Sequence, residues 1–285
     1  MLESIINPKN VERGPLKMFF VGLVYASIST IGVWWAFSND PVLYDYAGMI
    51  IVTFCVMFSL PFMYFLIKQE EQEDEQVEGF FGVWKMHSDA IYAFLWLFLG
   101  FVIAFSFWNI FIGDSNLFNA QIETYCSINN PGNIEDCVTK YSIEQHKVTG
   151  SAIKIQRAMS ILENNAIVMI FVLLFSLVFG AGAIFVLAWN ASVIAGAIGI
   201  FTKYDLMGIP KGLARYMIHG FPEIAAYFIT ALAGGMFGVS FLRNGFRDKT
   251  FLRVIENIVI LLFLAIFILI GAAAMEVYLT PALFN

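Results

Sequence analysis

The chain has 285 residues, 59% of them hydrophobic and only 13% charged, with 30 Phe and a formal net charge of -6. At a mean hydropathy of +0.76, a soluble domain of this length lacks the polar surface to cover itself. A soluble globular enzyme, a disordered chain and a disulfide-rich secreted module are thereby excluded, which leaves an all-α, polytopic transmembrane helical bundle. The acidic balance, with no basic domain, argues against nucleic acid as a partner; membrane lipid and other membrane proteins remain. No short apolar segment with an A-x-A-like cleavage site opens the chain, so no cleaved signal peptide is expected.

A helix rising about 1.5 Å per residue needs about 20 apolar residues to cross the hydrocarbon. The first such run is Lys17 to Phe37, ending in the interfacial pair Trp34-Trp35. Ser38-Asn39-Asp40-Pro41 reads as a tight turn, and Val42 to Ile67, with Pro61 near its end, completes an N-terminal hairpin over 1–67. Residues 68–89 form an acidic linker with six carboxylates between Glu70 and Glu78; repulsion keeps it solvated, as a plain linker or as a docking patch for a basic partner.

The third span is expected over Ala90 to Ile112, and a polar loop over 113–163. The loop begins with turn chemistry at Gly113–Asn116 and Asn129–Asn133. It ends in apolar residues from Ile143 to Leu162, interleaved with Lys147, Lys154 and Arg157, which predicts an amphipathic surface helix. A fourth span is expected over Ala166 to Trp189. Residues 190–221, punctuated by Gly208, Pro210 and Gly212, read as a re-entrant or interfacial helical segment. A fifth span starts near Pro222 and runs to about Leu242; the last covers Val254 to Leu279. The sum is six full spans plus one short segment, in a multi-pass cell-membrane protein.

Basic residues split evenly between the two faces under this arrangement, so they do not set the orientation; if Ala191–Phe201 crosses, the basic stretch Arg243 to Arg253 moves inside and the balance tilts toward an inside amino terminus. Cys126 and Cys137 flank the turn in the polar loop. They form either a bridge, which requires an oxidising exterior, or two free thiols. Cys55, alone in a span, reads as an ordinary buried thiol.

No HExxH, GxSxG, Walker A or CxxC pattern occurs, and the three His are scattered, so no enzyme, catalytic residue, metal site or cofactor is expected. The stretch Ile218-His219-Gly220-Phe221-Pro222-Glu223 sets an ionisable pair beside an expected helix break. Two readings stand: an ion- or proton-sensitive site inside the bundle, or a structural junction in which Glu223 complements a helix dipole. Asn190 either caps the following helix or bonds across to the His219/Glu223 region. Glu163-Asn164-Asn165 reads as a cap with interfacial anchoring, and Glu256 and Glu276 as flanking groups of the last span. Gly234 and Gly238, and likewise Gly22, Ala26 and Ser29, form small-residue stripes for close helix packing. These stripes raise the expectation of a homo-oligomer, most simply a two-fold dimer.

Asn164-Asn165, Gly180-Ala181-Gly182, Leu187 to Asn190 with Gly196, and above all His219-Gly220-Phe221-Pro222-Glu223 resemble the stage II sporulation protein M family, whose members carry a paired Asn near a span start and a P-H-G-x-x-E block. Ile218 stands where the family has the proline, and Ala191 where it has a glycine after Asn190. The resemblance covers roughly 90–280, so 90–285 is read as the family-like transmembrane domain and the first hairpin as an addition. It implies a membrane partner of other proteins: bacterial members assist cell-wall-degrading proteins during forespore engulfment. A non-enzymatic scaffold or assembly protein is therefore expected, with a permease or channel-like subunit, coupled at His219/Glu223, as the alternative.

Overall fold

A chain this apolar satisfies its backbone inside lipid by closing every hydrogen bond within helices. The computed structural model describes residues 16–74, 80–113, 115–129, 151–179, 184–244 and 249–284, and among them no strand occurs. The principal helices are α1 (Leu16–Phe37), α2 (Ala47–Asp74), α3 (Phe80–Ile112), α4 (Asn119–Asn129), α5 (Ser151–Phe179), α6 (Ile184–Thr202), α7 (Ile209–Asn244) and α8 (Lys249–Ala274). A π-helical turn, Met275–Leu279, and a last turn, Thr280–Phe284, extend α8. Among the described residues, six helices are long and apolar enough to cross a membrane: α1, α3, α5, α6, α7 and α8 with its extension. In α2 the described residues Ala47–Phe62 form a further apolar helical stretch.

Several boundaries differ from the sequence reading. Asp40 closes the expected turn, its backbone N–H donating to the Phe37 carbonyl at 2.9 Å, and also caps a one-turn helix, Pro41–Tyr44, its Oδ1 accepting from the backbone N–H of Val42 and Leu43 at 3.0 Å each. Of the acidic stretch, 68–74 continue α2 and 80–89 open α3, while 75–79 lie outside the described residues. The fourth expected span is divided. The polar residues from Ser151 onward run without a break into α5, which ends at Phe179, and α6 then begins at Ile184. Apolar residues on both sides of Gly180–Ala183 hid that boundary from hydropathy. The segment expected to be re-entrant or interfacial is shared between α6, itself a candidate span, and the start of α7. Lys203 and Tyr204, both at positive φ (53° and 58°), make the reversal between them. Pro222 sits in the interior of the 36-residue α7 rather than in a first turn.

Glycine lets the helices pack at backbone distance. A β-carbon on Gly22 would overlap the Leu97 carbonyl and lie 3.2 Å from the Cα of Gly100, so α1 and α3 cross there in van der Waals contact. Phe19 touches Trp96, and Trp108 Nε1 donates to Ser27 Oγ at 2.9 Å, so these two helices run parallel. At Gly234 and Gly238 a β-carbon would meet the carbonyls of Leu173 and Leu177 at 2.8 and 2.7 Å, so α5 runs parallel to α7. Both expected small-residue stripes are thus occupied by the chain's own helices and no longer point to a second copy. The centre is filled by aromatic rings: Phe94 stacks on Phe228 at 4.7 Å, and Phe98, Phe101, Phe105 and Phe118 are each at most 1% exposed.

The short helix α4 covers one end of this bundle. Its buried Ile122 and Cys126 pack with Ile200 of α6. Gln121, fully buried, donates from Nε2 to the Gly48 carbonyl at 2.9 Å, where any β-carbon on Gly48 would collide with it. Cys126 is disulfide-bonded and Cys55 is a free buried thiol; Cys137 lies outside the described residues.

Candidate functional site

Buried polar side chains are spread over several helices, and the first half of α7 adds the ionisable pair His219 and Glu223. His219 and Glu223 are four residues apart and share one face, because the helix continues through Gly220 and Pro222. His219 Nδ1 is 3.0 Å from Thr280 Oγ1, on the last turn after the π-helical segment. One turn along, Glu223 Oε1 accepts a hydrogen bond from Asn165 Nδ2 of α5 at 2.7 Å. Asn164 Nδ2 reaches the Asn165 Oδ1 at 3.5 Å. These contacts tie α5, α7 and the end of α8 together at one level.

Toward the α4 end the face continues with aromatic and cationic groups. Tyr216 packs edge-on against His219 with ring centroids 6.5 Å apart, and its hydroxyl is 3.0 Å from that of Tyr125 on α4. Burial pushes the Tyr125 phenol above its ordinary value, so this bond joins two neutral hydroxyls. The Arg215 guanidinium lies 4.7 Å over the Phe201 ring, a cation–π contact between α7 and α6. Toward the other end, Tyr227 is 2% exposed, one turn beyond Glu223.

Two more ionisable side chains lie on the neighbouring segments: Glu276 inside the π-helical turn, four residues before Thr280, and the exposed Arg157 on α5, eight residues before Asn165. Glu256 is exposed on α8.

Asn190 does not join the cluster through its amide. Its Nδ2 donates to the Val186 carbonyl at 2.7 Å, inside α6, so it neither caps a helix nor makes the expected amide bond to His219 and Glu223. Asn165 takes that place. It lies in the middle of α5, 7% exposed, and not at a cap. Its signal in the sequence was helical phase: Asn165, Val172 and Ser176 lie on one buried stripe, whereas Ile167, Ile170, Phe171 and Leu174 are exposed. Gly220 is not required for close approach, since a β-carbon there would make ordinary contacts with Met217 and Ile194 at 3.4 and 3.9 Å. Among the described residues no group of three or more His, Cys, Asp or Glu is placed to hold a metal. Chemically, the arrangement joins helices through hydrogen bonds and concentrates carboxylate, imidazole and guanidinium groups at one depth.

Residues 18–281 match the family model described as Stage II sporulation protein M. The match begins inside α1, so the first hairpin and the acidic stretch belong to the family region and are not an addition to it. No curated protein and no solved structure matches the chain.

Proposed function

The chain belongs to the Stage II sporulation protein M family, and we propose that it serves as a non-enzymatic, multi-pass scaffold of the cell membrane on which other membrane proteins, or further copies of itself, assemble. The observation that carries this reading is the filled centre. A permeation path needs a polar, open route between the helices, whereas the rings of Phe94, Phe101, Phe105 and Phe228 occupy the middle of the bundle. The polar groups beside them bond to one another: Asn165 to Glu223, His219 to Thr280 and Tyr125 to Tyr216. Helix direction supports an inside amino terminus. With α6 crossing, Arg243, Lys249 and Arg253 share the face that holds Lys17, Lys68 and Lys85, and α4 then faces the exterior.

Two measurements on the full chain test the reading. Mild-detergent extracts of native membranes should contain the protein in an assembly larger than one chain of 32.0 kDa. Purified protein in liposomes should pass protons and small ions no faster than empty liposomes. A monomer in every extract, or a flux that rises with protein content, replaces the scaffold with another function.

A further inference from the structure

We propose that the short helix α4 is seated on the bundle through ordered water, held against one turn of α6 and donating to the side-chain oxygens of Asn109 and Gln121. Asn109 is 1% exposed and Gln121 0%, and each amide uses its nitrogen. Gln121 Nε2 donates to the Gly48 carbonyl at 2.9 Å, and Asn109 Nδ2 points at the Ala195 carbonyl at 3.5 Å. Turning either amide over would set oxygen against oxygen, so an acceptor fixes the orientation of both. The other end of each amide, Oδ1 of Asn109 and Oε1 of Gln121, has no hydrogen-bond partner among the described residues. A buried carbonyl oxygen left without a donor costs more than an ordinary hydrogen bond gains, and two of them beside one helix turn call for a common donor.

The two amides reach the same turn of α6, Ala195 to Gly199. Asn109 comes from the last turn of α3, and a β-carbon on Gly199 would lie 2.8 Å from its Nδ2. Gln121 comes from the first turn of α4 and passes Gly196. Here the seam between α4 and α6 is loose: a β-carbon on Gly196 would stand 3.5 Å from Ile122 Cγ1 and 3.8 Å from Gln121 Cβ, ordinary contact distances. Water enters from the membrane surface without crossing hydrocarbon, because α3 ends three residues after Asn109 and the chain turns at Gly113 into the segment that carries α4. Water is also the donor that fits the chemistry, with two O–H groups for two neutral acceptors. A dehydrated cation needs more oxygens than these two and a negative charge to offset its burial. The acid on α4, Glu123, is exposed and bonded to Asn119 at 3.2 Å, so it does not supply that charge. The seat is independent of the scaffold reading, because its test uses the purified chain alone.

An experimental structure of the full chain in lipid nanodiscs, at a resolution that shows ordered water, should place water oxygens at about 2.7–3.2 Å from both Asn109 Oδ1 and Gln121 Oε1. Water missing from either oxygen in a map that shows it elsewhere in the protein, or a protein donor in its place, overturns the seat. So does density that is present in sodium or potassium chloride and absent in choline chloride, which would make the occupant a cation. Melting temperatures in the same nanodiscs give a second reading. Asn109→Leu and Gln121→Leu should each lower the melting temperature by several degrees, and the double variant should lose less than the sum, because the same water is lost only once. A higher melting temperature for Asn109→Leu would show that its oxygen had no partner to lose. Strictly additive losses would show that the two amides share no water. Either result overturns the proposal, and if the variants do not fold, the wild-type map decides it alone.

Discussion

Alanine at Gly234 or Gly238 should destabilise the protein, while the same change at Gly271 should not. The three substitutions are chemically identical, and each removes the backbone freedom that makes glycine unfavourable in a helix, a gain of about 1 kcal/mol in water. They differ in what the new methyl meets. At Gly234 it meets the Leu173 carbonyl at 2.8 Å and the Ser176 Cβ at 2.9 Å; at Gly238 it meets the Leu177 carbonyl at 2.7 Å. Carbon against a carbonyl oxygen needs upward of about 3.2 Å, and the obstructing atoms are backbone, so they cannot rotate away. Helix α5 must move off α7 by roughly half an ångström over the stretch that includes Asn165 and Glu223. Overpacking of this kind costs about 1–3 kcal/mol, so the net effect at each site is a loss of up to about 2 kcal/mol. At Gly271 no heavy atom lies within 4 Å, and the propensity gain stands alone. Thermal unfolding of the three variants in one detergent, followed by circular dichroism, reads the difference. Equal shifts for Gly234→Ala and Gly271→Ala would refute backbone contact as the basis of the α5–α7 seam.

Other perturbations test the junction and the cover. Asn165→Leu should cost about 1–3 kcal/mol in thermal unfolding, because it leaves the Glu223 oxygen without a donor; Asn165→Asp should cost more, because it adds a third acid, and the reverse order would show that volume and not hydrogen bonding matters. Tyr125→Phe should cost about 1 kcal/mol, through its bond to Tyr216, and an unchanged melting curve would show that α4 sits on the bundle by apolar contact alone. Maleimide should leave Cys126 and Cys137 unmodified in unreduced membranes and label them after reduction and unfolding; ready labelling without reductant would exclude a bridge and remove one support for an exterior α4.

Span existence was legible because hydropathy alone decides it: the runs beginning at Lys17, Ala90 and Val254 each fall within a candidate span, Leu16–Phe37, Ser88–Ile112 and Phe251–Phe284. Boundaries within apolar sequence were not legible. Ala166 to Trp189 reads as one run because lipid and protein interior are equally apolar, so the change from α5 to α6 leaves no hydropathy signal. Punctuation misled in the opposite sense. Gly220 and Pro222 suggested a break, yet α7 continues, since neighbouring helices in lipid can support an interrupted backbone ladder. Half of the junction was readable: His219 and Glu223 stand out as ionisable groups at helical spacing. Asn165 and Thr280 are 58 and 61 residues from their partners in the sequence, and only tertiary register brings them in.

Two helix irregularities, Pro222 in α7 and the π-helical turn Met275–Leu279, sit beside this junction. Pro222 has no N–H, so the Ile218 carbonyl loses its helical donor. Across the seam, Met275–Leu279 adopts a π-helical turn, which accommodates an extra residue and re-aims the side chains after it. If the proline were a tolerated defect, Pro222→Ala would simply stabilise α7, by some part of the roughly 3 kcal/mol that an interior proline costs in a soluble helix. If instead the local backbone geometry at the proline holds Glu223 against Asn165 and His219 against Thr280, restoring a regular helix there loosens two hydrogen bonds worth about 1 kcal/mol each and cancels much of that gain. The cases separate in a double-mutant cycle. Asn165→Leu should be costly in the wild type and nearly neutral in the Pro222→Ala background, because the bond it removes is already weakened there. Additive effects, with Pro222→Ala clearly stabilising, would show that the proline has no part in building the junction.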